Sequence, residues 1–183
     1  MLNKFSLLFL ATLFCLSSCV ETSTIENAVV EKPFFDLKDY FTQEIERLKD
    51  KKNVTKKAFY NGKEETKIVE NPNFKNDLII FSNTDINRTA WLDKYSVDST
   101  FNAQQKLAAI DYKSLDEKLK TKSIRVEFAN NDVSSIKITT GGNSAISQMK
   151  NNLKYSPTAG YSIKSKQDVN FVSESDVNIQ VIF

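Results

Sequence analysis

The side chains that could do chemistry in this chain are mainly carboxylates, because the common catalytic bases and nucleophiles are scarce. Its 183 residues include no histidine and only two cysteines, Cys15 and Cys19. Histidine is the commonest metal ligand and the commonest general base near neutral pH. Without it, a Ser-His-Asp triad and a histidine-based zinc hydrolase centre are excluded. The 23 acidic residues leave carboxylate chemistry open, since spacing alone does not identify a catalytic pair.

Motifs that bind phosphates, nucleotides or acyl groups are also missing from the sequence. It contains no GxSxG, P-loop or GxGxxG pattern. Its only glycine doublet, Gly141-Gly142, precedes Asn143 and predicts a turn. We therefore expect no cofactor and no bound metal. Enzymatic activity stays undecided on these grounds, and a non-catalytic role is favoured.

A polar loop at 83–94 is the best candidate for a ligand surface. It contains Asp85, Asn87 and Arg88, which could hydrogen-bond a ligand, and it includes Trp91, the only tryptophan. The indole could stack on a sugar or a peptide. The alternative is that Trp91 covers the core while the polar side chains of the loop satisfy one another. We favour that alternative, because loops with one buried aromatic residue are common.

The amino terminus has the layout of a secretory signal peptide. Lys4 precedes an apolar run at 5–16, and two serines follow it. The run is too short for a membrane-spanning helix, which needs roughly 20 apolar residues. We therefore expect residues 1–18, including Cys15, to be removed from the mature protein.

The residues Leu16-Ser17-Ser18-Cys19 resemble the lipobox of bacterial lipoproteins. The resemblance implies cleavage between Ser18 and Cys19 and attachment of a diacylglyceryl group to the Cys19 thiol. Two or three acyl chains would anchor the protein stably, whereas one chain binds a membrane only reversibly. Val20 implies delivery to the outer membrane, and the single acid among the next few residues implies a protein that faces the periplasm. The alternative is an ordinary small-residue cleavage site with an incidental cysteine.

Composition fits one domain of balanced charge. The chain has 25 basic and 23 acidic side chains, and Lys4 would be lost with the signal peptide. This balance does not indicate a nucleic-acid partner. About 165 mature residues suit a single domain that buries its own core, and no cysteine remains for a disulfide once Cys19 is lipidated. We expect a flexible lipidated tether at 19–32 and a soluble, monomeric domain at 33–183.

Two amphipathic helices are expected in the first part of this domain. Apolar residues recur at helical spacing after Pro33 and predict a helix over about 34–51. Its apolar stripe could face a membrane or a partner, but the mixed charges on its other face favour packing on a sheet. A second, shorter helix is predicted over about 73–82. The stripes consist of Phe34, Leu37, Phe41, Ile45 and Leu48 in the first helix and Phe74, Leu78 and Phe81 in the second.

Strand patterns account for most of the remaining sequence. Segments 54–60 and 63–69 flank Asn61-Gly62, a dipeptide that suits a type I′ turn, and predict a β-hairpin. From Tyr95 onward, apolar and polar residues alternate in six or more segments, as in half-buried antiparallel strands. No crossover helix for parallel pairing follows the second predicted helix. The predicted class is α+β, with an amino-terminal amphipathic helix and a second short helix packed on a curved antiparallel sheet.

The whole-chain pattern resembles small uncharacterised lipoproteins of Bacteroidota, a resemblance that implies no activity. Its architecture also resembles the carriers of outer-membrane lipoprotein sorting, in which a helix covers an incomplete β-barrel that holds acyl chains. No motif supports this second resemblance, which is an analogy of fold alone.

The expected function is that of a non-catalytic binding or structural module on a membrane of the cell envelope. Its expected partners are the membrane, through lipid on Cys19, and an envelope protein or a hydrophobic ligand; no nucleic acid is expected. The alternative is a carrier or binder of acyl chains, or of another hydrophobic ligand, in a partly open β-barrel. The two functions differ in whether the strand positions that face the helix fill a solid core or line a cavity.

Overall fold

The computed structural model describes residues 32–60, 62–170 and 172–183, without the side chains of residues 172–174. The predicted signal peptide at 1–18 lies outside the described residues. So do Cys19 and the predicted tether at 19–32, except for its last residue, Lys32. Asn61, the first residue of the predicted hairpin turn, also lies outside them.

Two α-helices and nine strands follow one another along the described ranges. The helices are α1 (Leu37–Leu48) and α2 (Phe74–Ser82), and a short 3-10 turn covers Thr89–Trp91. The strands are β1 (Asn53–Tyr60), β2 (Lys63–Glu70), β3 (Tyr95–Phe101), β4 (Leu107–Ser114), β5 (Thr121–Ala129), β6 (Asp132–Asn143), β7 (Ser147–Ser156), β8 (Gly160–Val169) and β9 (Val172–Ile182). They form one antiparallel sheet in the order β2-β1-β9-β8-β7-β6-β5-β4-β3. Strands β3 to β9 therefore make a meander, and the β1–β2 hairpin joins it through β9.

Several elements have the positions that the sequence predicts. The hairpin pairs Tyr60 with Lys63, and Gly62 has a positive φ of 79°, as a tight two-residue connection requires. Helix α2 begins after Asn73, whose side chain accepts a hydrogen bond from the Asn76 amide at 3.1 Å. The predicted hairpin and the predicted second helix are therefore confirmed.

Helix α1 begins later than the predicted start near residue 34, because Asp36 caps it. The Asp36 side chain accepts a hydrogen bond from the Asp39 amide at 3.0 Å. The amides of Phe34 and Phe35 donate to side chains from distant elements. These tertiary bonds satisfy both amides outside the helix, so the segment before Asp36 is not helical.

The helices pack on one face of the sheet and share an aromatic core with it. The Phe41 ring centroid lies 5.1 Å from the centroids of both Phe81 and Tyr155, and all three side chains are fully buried. Core-facing and outward residues alternate along the strands, as Ile136 and Ile138 do with their neighbours in β6. The core also includes Leu37, Leu48, Leu78, Ile86, Tyr112, Ile124, Val126, Leu153 and Val181. The strand positions that face the helices therefore form a close-packed core with them.

The predicted α+β class with an amino-terminal helix is wrong. More than half of the described residues lie in strands, whereas α1 and α2 contain 12 and 9 residues. Strands β2 and β3, at the two edges of the sheet, have almost wholly exposed side chains. The helices therefore cover only part of one face of a fold that is mainly antiparallel sheet. Helix α1 is also not amino-terminal, since it begins at Leu37.

The Gly141-Gly142 doublet lies inside β6 and not in the predicted turn. Strand β6 continues to Asn143 and pairs Gly141 with Lys150 and Gly142 with Met149. A Cβ atom on Gly141 would lie 3.3 Å from the Met149 carbonyl oxygen, so this residue allows the two strands to approach closely. Cross-strand pairing thus overrides the turn preference of the two glycines.

Candidate functional site

The predicted ligand surface divides into two parts. The first part, Asp85 and Asn87, stabilises the fold and does not face a ligand. The Asp85 carboxylate is buried and accepts hydrogen bonds from the Leu37 amide at 3.1 Å and the Asn87 amide at 3.0 Å. The Asn87 side chain accepts from the Phe34 amide at 3.1 Å and donates to the Phe35 carbonyl at 3.2 Å. These bonds hold the segment that leads into α1 against the loop. Asp85 and Asn87 therefore position an element of the fold.

The second part of the predicted surface, Arg88 and Trp91, lies close to solvent. The Arg88 guanidinium carbon is 4.3 Å from the centroid of the Trp91 ring, which is a cation–π contact. Trp91 is half-buried, and its ring centroid lies 6.5 Å from that of Tyr95. Arg88 is exposed. The pair therefore combines a supported aromatic ring with an accessible positive charge.

Arg88 and Trp91 line a cleft of about 300 Å³. The cleft lies between the end of α2 and strands β5 to β7, on the face of the sheet that carries the helices. Lys120 adds a second cation to the lining. Hydrogen-bonding groups come from Asn83, Thr84, Thr121, Thr140 and Asn151.

The polar floor of the cleft interrupts the apolar pattern of the core-facing strand positions. Thr140 and Asn151 lie directly opposite each other in β6 and β7, next in line after Ile138 and Leu153. Thr140 is 3% exposed and Asn151 is 9% exposed, and the Asn151 Nδ2 atom donates to the Thr140 Oγ1 atom at 3.0 Å. A carboxamide has several further hydrogen-bonding positions, which Asn151 can offer to a ligand. Buried polar side chains are uncommon among core residues, so this pair marks a candidate position for ligand binding.

Hydrogen bonds from buried hydroxyls hold the adjoining wall of the cleft. The Thr121 hydroxyl donates to the Thr84 carbonyl at 3.2 Å, and the Tyr95 hydroxyl donates to the Thr121 carbonyl at 2.8 Å. Burial raises the pKa of Tyr95 to about 12. Its hydroxyl therefore stays protonated near neutral pH and serves as a donor that shapes the cleft.

A second buried polar group, centred on Glu44, ties α1 to the turn after β7. The two Glu44 carboxylate oxygens accept hydrogen bonds from Arg47 at 2.9 and 2.7 Å, and one of them also accepts from the Tyr155 hydroxyl. Arg47 in turn donates to the Pro157 carbonyl at 2.9 Å. Burial, followed by the bond to Glu44, raises the pKa of Tyr155 well above its usual value. This carboxylate is thus bound on both oxygens within the fold.

Sequence reasoning found Arg88 and Trp91 but missed Lys120, Thr140 and Asn151. A signal for the last two was present, because each is a polar residue at a core-facing position of an alternating strand. Extending the alternation of β6 and β7 by one step would have identified them. No local pattern places Lys120 near Trp91, since packing alone brings these two residues together.

Comparison with known proteins identified no relative of this chain. No protein-family model, curated protein or solved structure matches the chain. Among the residues that the structure describes, no group of three or more histidine, cysteine, aspartate or glutamate side chains could hold a metal ion. No helix within those same ranges is long and apolar enough to cross a membrane.

Proposed function

We propose that this protein is a non-catalytic binding module, anchored to the bacterial outer membrane by lipid on Cys19 and facing the periplasm, and that the cleft beside Trp91 holds its ligand. The observation that carries the proposal is the Thr140–Asn151 pair, which together with Thr121 forms a buried polar row beside the apolar core. The two side chains bind each other, and the remaining hydrogen-bonding positions of the Asn151 carboxamide and the Thr140 hydroxyl can bind a polar ligand.

The lining of the cleft favours a small, flat anion. Arg88 and Lys120 supply positive charge, Trp91 supplies apolar ring surface, and Thr140 and Asn151 supply hydrogen-bonding groups. A volume of about 300 Å³ lies at the lower end of the range for small-molecule sites. An aromatic or short-chain carboxylate or sulfonate matches this size and chemistry.

Close packing between the helices and the sheet supports this proposal over an acyl-chain carrier. A carrier of that kind needs an apolar cavity on the face that the helices cover. On that face the rings of Phe41, Phe81 and Tyr155 are fully buried against one another. These contacts fill the part of the face that lies beneath α1 and α2.

The single tryptophan provides a direct test of the cleft. The probe is 4-nitrobenzoate, a flat aromatic anion that quenches indole fluorescence on contact, added to the full chain in neutral detergent micelles. We expect saturable quenching of Trp91 by this anion and weaker quenching by the neutral 4-nitrobenzyl alcohol. The difference would measure the contribution of the cations that line the cleft.

Variants would show whether the quenching arises in the cleft. The double variant Arg88→Gln/Lys120→Gln should weaken binding of 4-nitrobenzoate about tenfold, equivalent to about 1.4 kcal/mol. The control Lys38→Gln/Lys75→Gln makes the same change in charge at exposed positions of the two helices and should bind as the wild type does. Quenching that never saturates, or that is equal in the two double variants, would refute the cleft as the site.

The lipid anchor has a separate test. Cells supplied with labelled palmitate should incorporate the label into this protein and retain the protein in the membrane fraction. The variant Cys19→Ala should lose both properties. Cys15→Ala is the matched control and should be labelled normally, because that thiol lies in the segment we expect to be removed. Label recovered on Cys19→Ala would contradict the proposed anchor.

A further inference from the structure

The face of the sheet opposite the helices carries basic and hydrogen-bonding side chains in transverse rows. The antiparallel register aligns the outward residues of β5 to β9 across the strands. One row is Arg125, Lys137, Lys154, Ser162 and Gln180, and the next is Ser123, Thr139, Asn152, Lys164 and Asn178. An open depression of about 720 Å³ lies over both rows. We call these two rows the basic face; they lie on the other side of the sheet from the cleft, since successive residues of a strand point to opposite faces.

Two lysines of the basic face carry unneutralised charge. Arg125 and Lys137 both bind the Glu127 carboxylate, at 3.0 and 2.7 Å, and Arg125 also binds the Asp111 carboxylate, which lines the same depression. Lys154 and Lys164 are exposed and form no ion pair with any residue that the structure describes. The positive charge of the basic face is therefore concentrated where β7 and β8 meet.

The strand register also places lysines directly opposite one another. Lys154 faces Lys137, and Lys150 faces Lys166 beside a second depression of about 570 Å³. Like charges in directly opposite positions destabilise a sheet. In each pair one lysine also has an acid beside it, Glu127 for Lys137 and Asp176 for Lys166. Local costs of this kind are typical of functional surfaces, where a ligand can offset them.

One side chain of the basic face, Asn178, has a hydrogen-bond acceptor without a partner in the part of the chain that the structure describes. The Oδ1 atom of Asn178 is buried and has no hydrogen-bond partner within the described ranges. Asn178 lies directly opposite Lys164 in the second row, and Gln180 follows on the same strand face. Most buried polar atoms in proteins are paired. Rotation of the Asn178 side chain would bring this acceptor to the surface of the basic face, where a ligand hydroxyl could donate to it.

We propose that the basic face binds a linear anionic polysaccharide that lies across the strands. Sugar hydroxyls would pair with the amides and hydroxyls of the two rows, and the anionic groups would pair with Lys154 and Lys164. From β5 to β9 the rows span about 19 Å at about 4.8 Å per strand, which is long enough for several sugar units. Surfaces that insert into membranes carry Trp, Phe or Leu, whereas both rows are wholly polar. The polymer is therefore favoured over a lipid surface.

Binding of the polymer should depend strongly on ionic strength. Lys154 and Lys164 are exposed, and the Debye length falls from about 10 Å at 0.1 M salt to about 3 Å at 1 M. We expect the affinity for a polyanion to fall about tenfold or more over that range. Binding carried by hydrogen bonds alone would change much less.

The test uses the full lipidated chain in nanodiscs of neutral phosphatidylcholine. Heparin and polygalacturonate are the anionic probes, with sulfate and carboxylate groups respectively, and dextran is the neutral control. We expect both anionic polymers to bind and dextran not to bind. Lys154→Gln/Lys164→Gln should lose about tenfold in affinity, whereas Lys154→Arg, which keeps the charge, should bind normally. Lys38→Gln/Lys75→Gln, with the same change in charge on the other side of the sheet, should also bind normally.

Folding and the cleft are monitored in the same variants. The melting temperature of Lys154→Gln/Lys164→Gln should be unchanged or higher, because the variant removes the repulsion between Lys154 and Lys137. Its quenching by 4-nitrobenzoate should match that of the wild type, so a failure of the cleft proposal would not be confused with a failure of this one. Equal polymer binding by this variant and the wild type would overturn the inference. Sedimentation with phosphatidylglycerol vesicles in the absence of polysaccharide binding would overturn it in favour of a lipid surface.

Discussion

Individual polar residues have different roles in this protein according to their partners. Asp85 and Trp91 belong to the same loop, yet Asp85 binds the start of α1 whereas Trp91 lines the cleft. Ile138 and Thr140 occupy equivalent core-facing positions of β6, yet only Thr140 borders the cleft. Residue type therefore indicates which interactions are chemically possible, and the contacts decide which of them are made.

The buried tyrosines predict a loss of stability at alkaline pH. Burial raises the pKa of Tyr95 to about 12 and raises the pKa values of Tyr155 and Tyr161 well above the usual value. Above about pH 10 the tyrosines of the unfolded chain lose their protons, while these three keep theirs in the folded protein. The unfolded state then binds fewer protons, so the free energy of unfolding falls as pH rises. This contribution is complete below about pH 10 and is lost as pH rises through the folded-state pKa values.

Melting temperatures between about pH 8 and pH 12 would check this expectation. The melting temperature should decline above about pH 10. Tyr161→Phe should make the decline less steep, because it removes one titrating hydroxyl, which donates to Asp77 at 2.7 Å in the folded protein. Tyr60, which is 57% exposed, provides the control Tyr60→Phe, whose pH dependence should match that of the wild type. A constant melting temperature up to about pH 12 would contradict the burial of these hydroxyls.

At the scale of an element, α1 depends on the sheet to bury its apolar stripe. Phe41 is 0% and Leu48 is 3% exposed, so truncating either to alanine should cost about 2–5 kcal/mol of stability in chemical denaturation. Ile79 on α2 is 52% exposed, and Ile79→Ala should change stability by about 0.5 kcal/mol or less. Unchanged stability in both Phe41→Ala and Leu48→Ala would instead assign this face to a membrane or a partner, the alternative that its sequence left open.

At the scale of the whole molecule, the pairing of β1 with β9 joins the hairpin to the rest of the sheet. The paired segments are Thr55–Tyr60 in β1 and Val177–Ile182 in β9. A hairpin alone is marginally stable in water. Without β9 the hairpin would lose its neighbour, and the core would lose Val181. The sheet is therefore expected to form as one cooperative unit.

Two shortened proteins would test this cooperativity. A protein that begins at Lys32 should be soluble and monomeric, should unfold in one transition, and should show circular dichroism dominated by strands. Removing residues 172–183 from it should abolish the cooperative melting transition. A shortened protein without β9 that melted at the same temperature would show that the pairing of β1 with β9 is dispensable.

Short-range signals in the sequence predicted most of the elements correctly. The Asn73 cap begins α2, Gly62 permits the hairpin turn, and alternation of apolar and polar residues marks the strands. These signals act over a few residues, so they can be recognised without the fold. The anchor at Cys19 also rests on the sequence alone and stays a prediction. The α+β class was wrong because periodicity locates helices but does not show how much of the fold they form.

Only the tertiary structure decided which elements became neighbours. The pairing of β1 with β9 and the meeting of Lys120, Thr140 and Asn151 with Trp91 join residues far apart in the chain. The role of Asp85 also depended on a bond to a distant amide. Such contacts result from the packing of the whole core, which no local pattern encodes. The strand register has the same origin, and it alone brings the outward lysines of separate strands side by side.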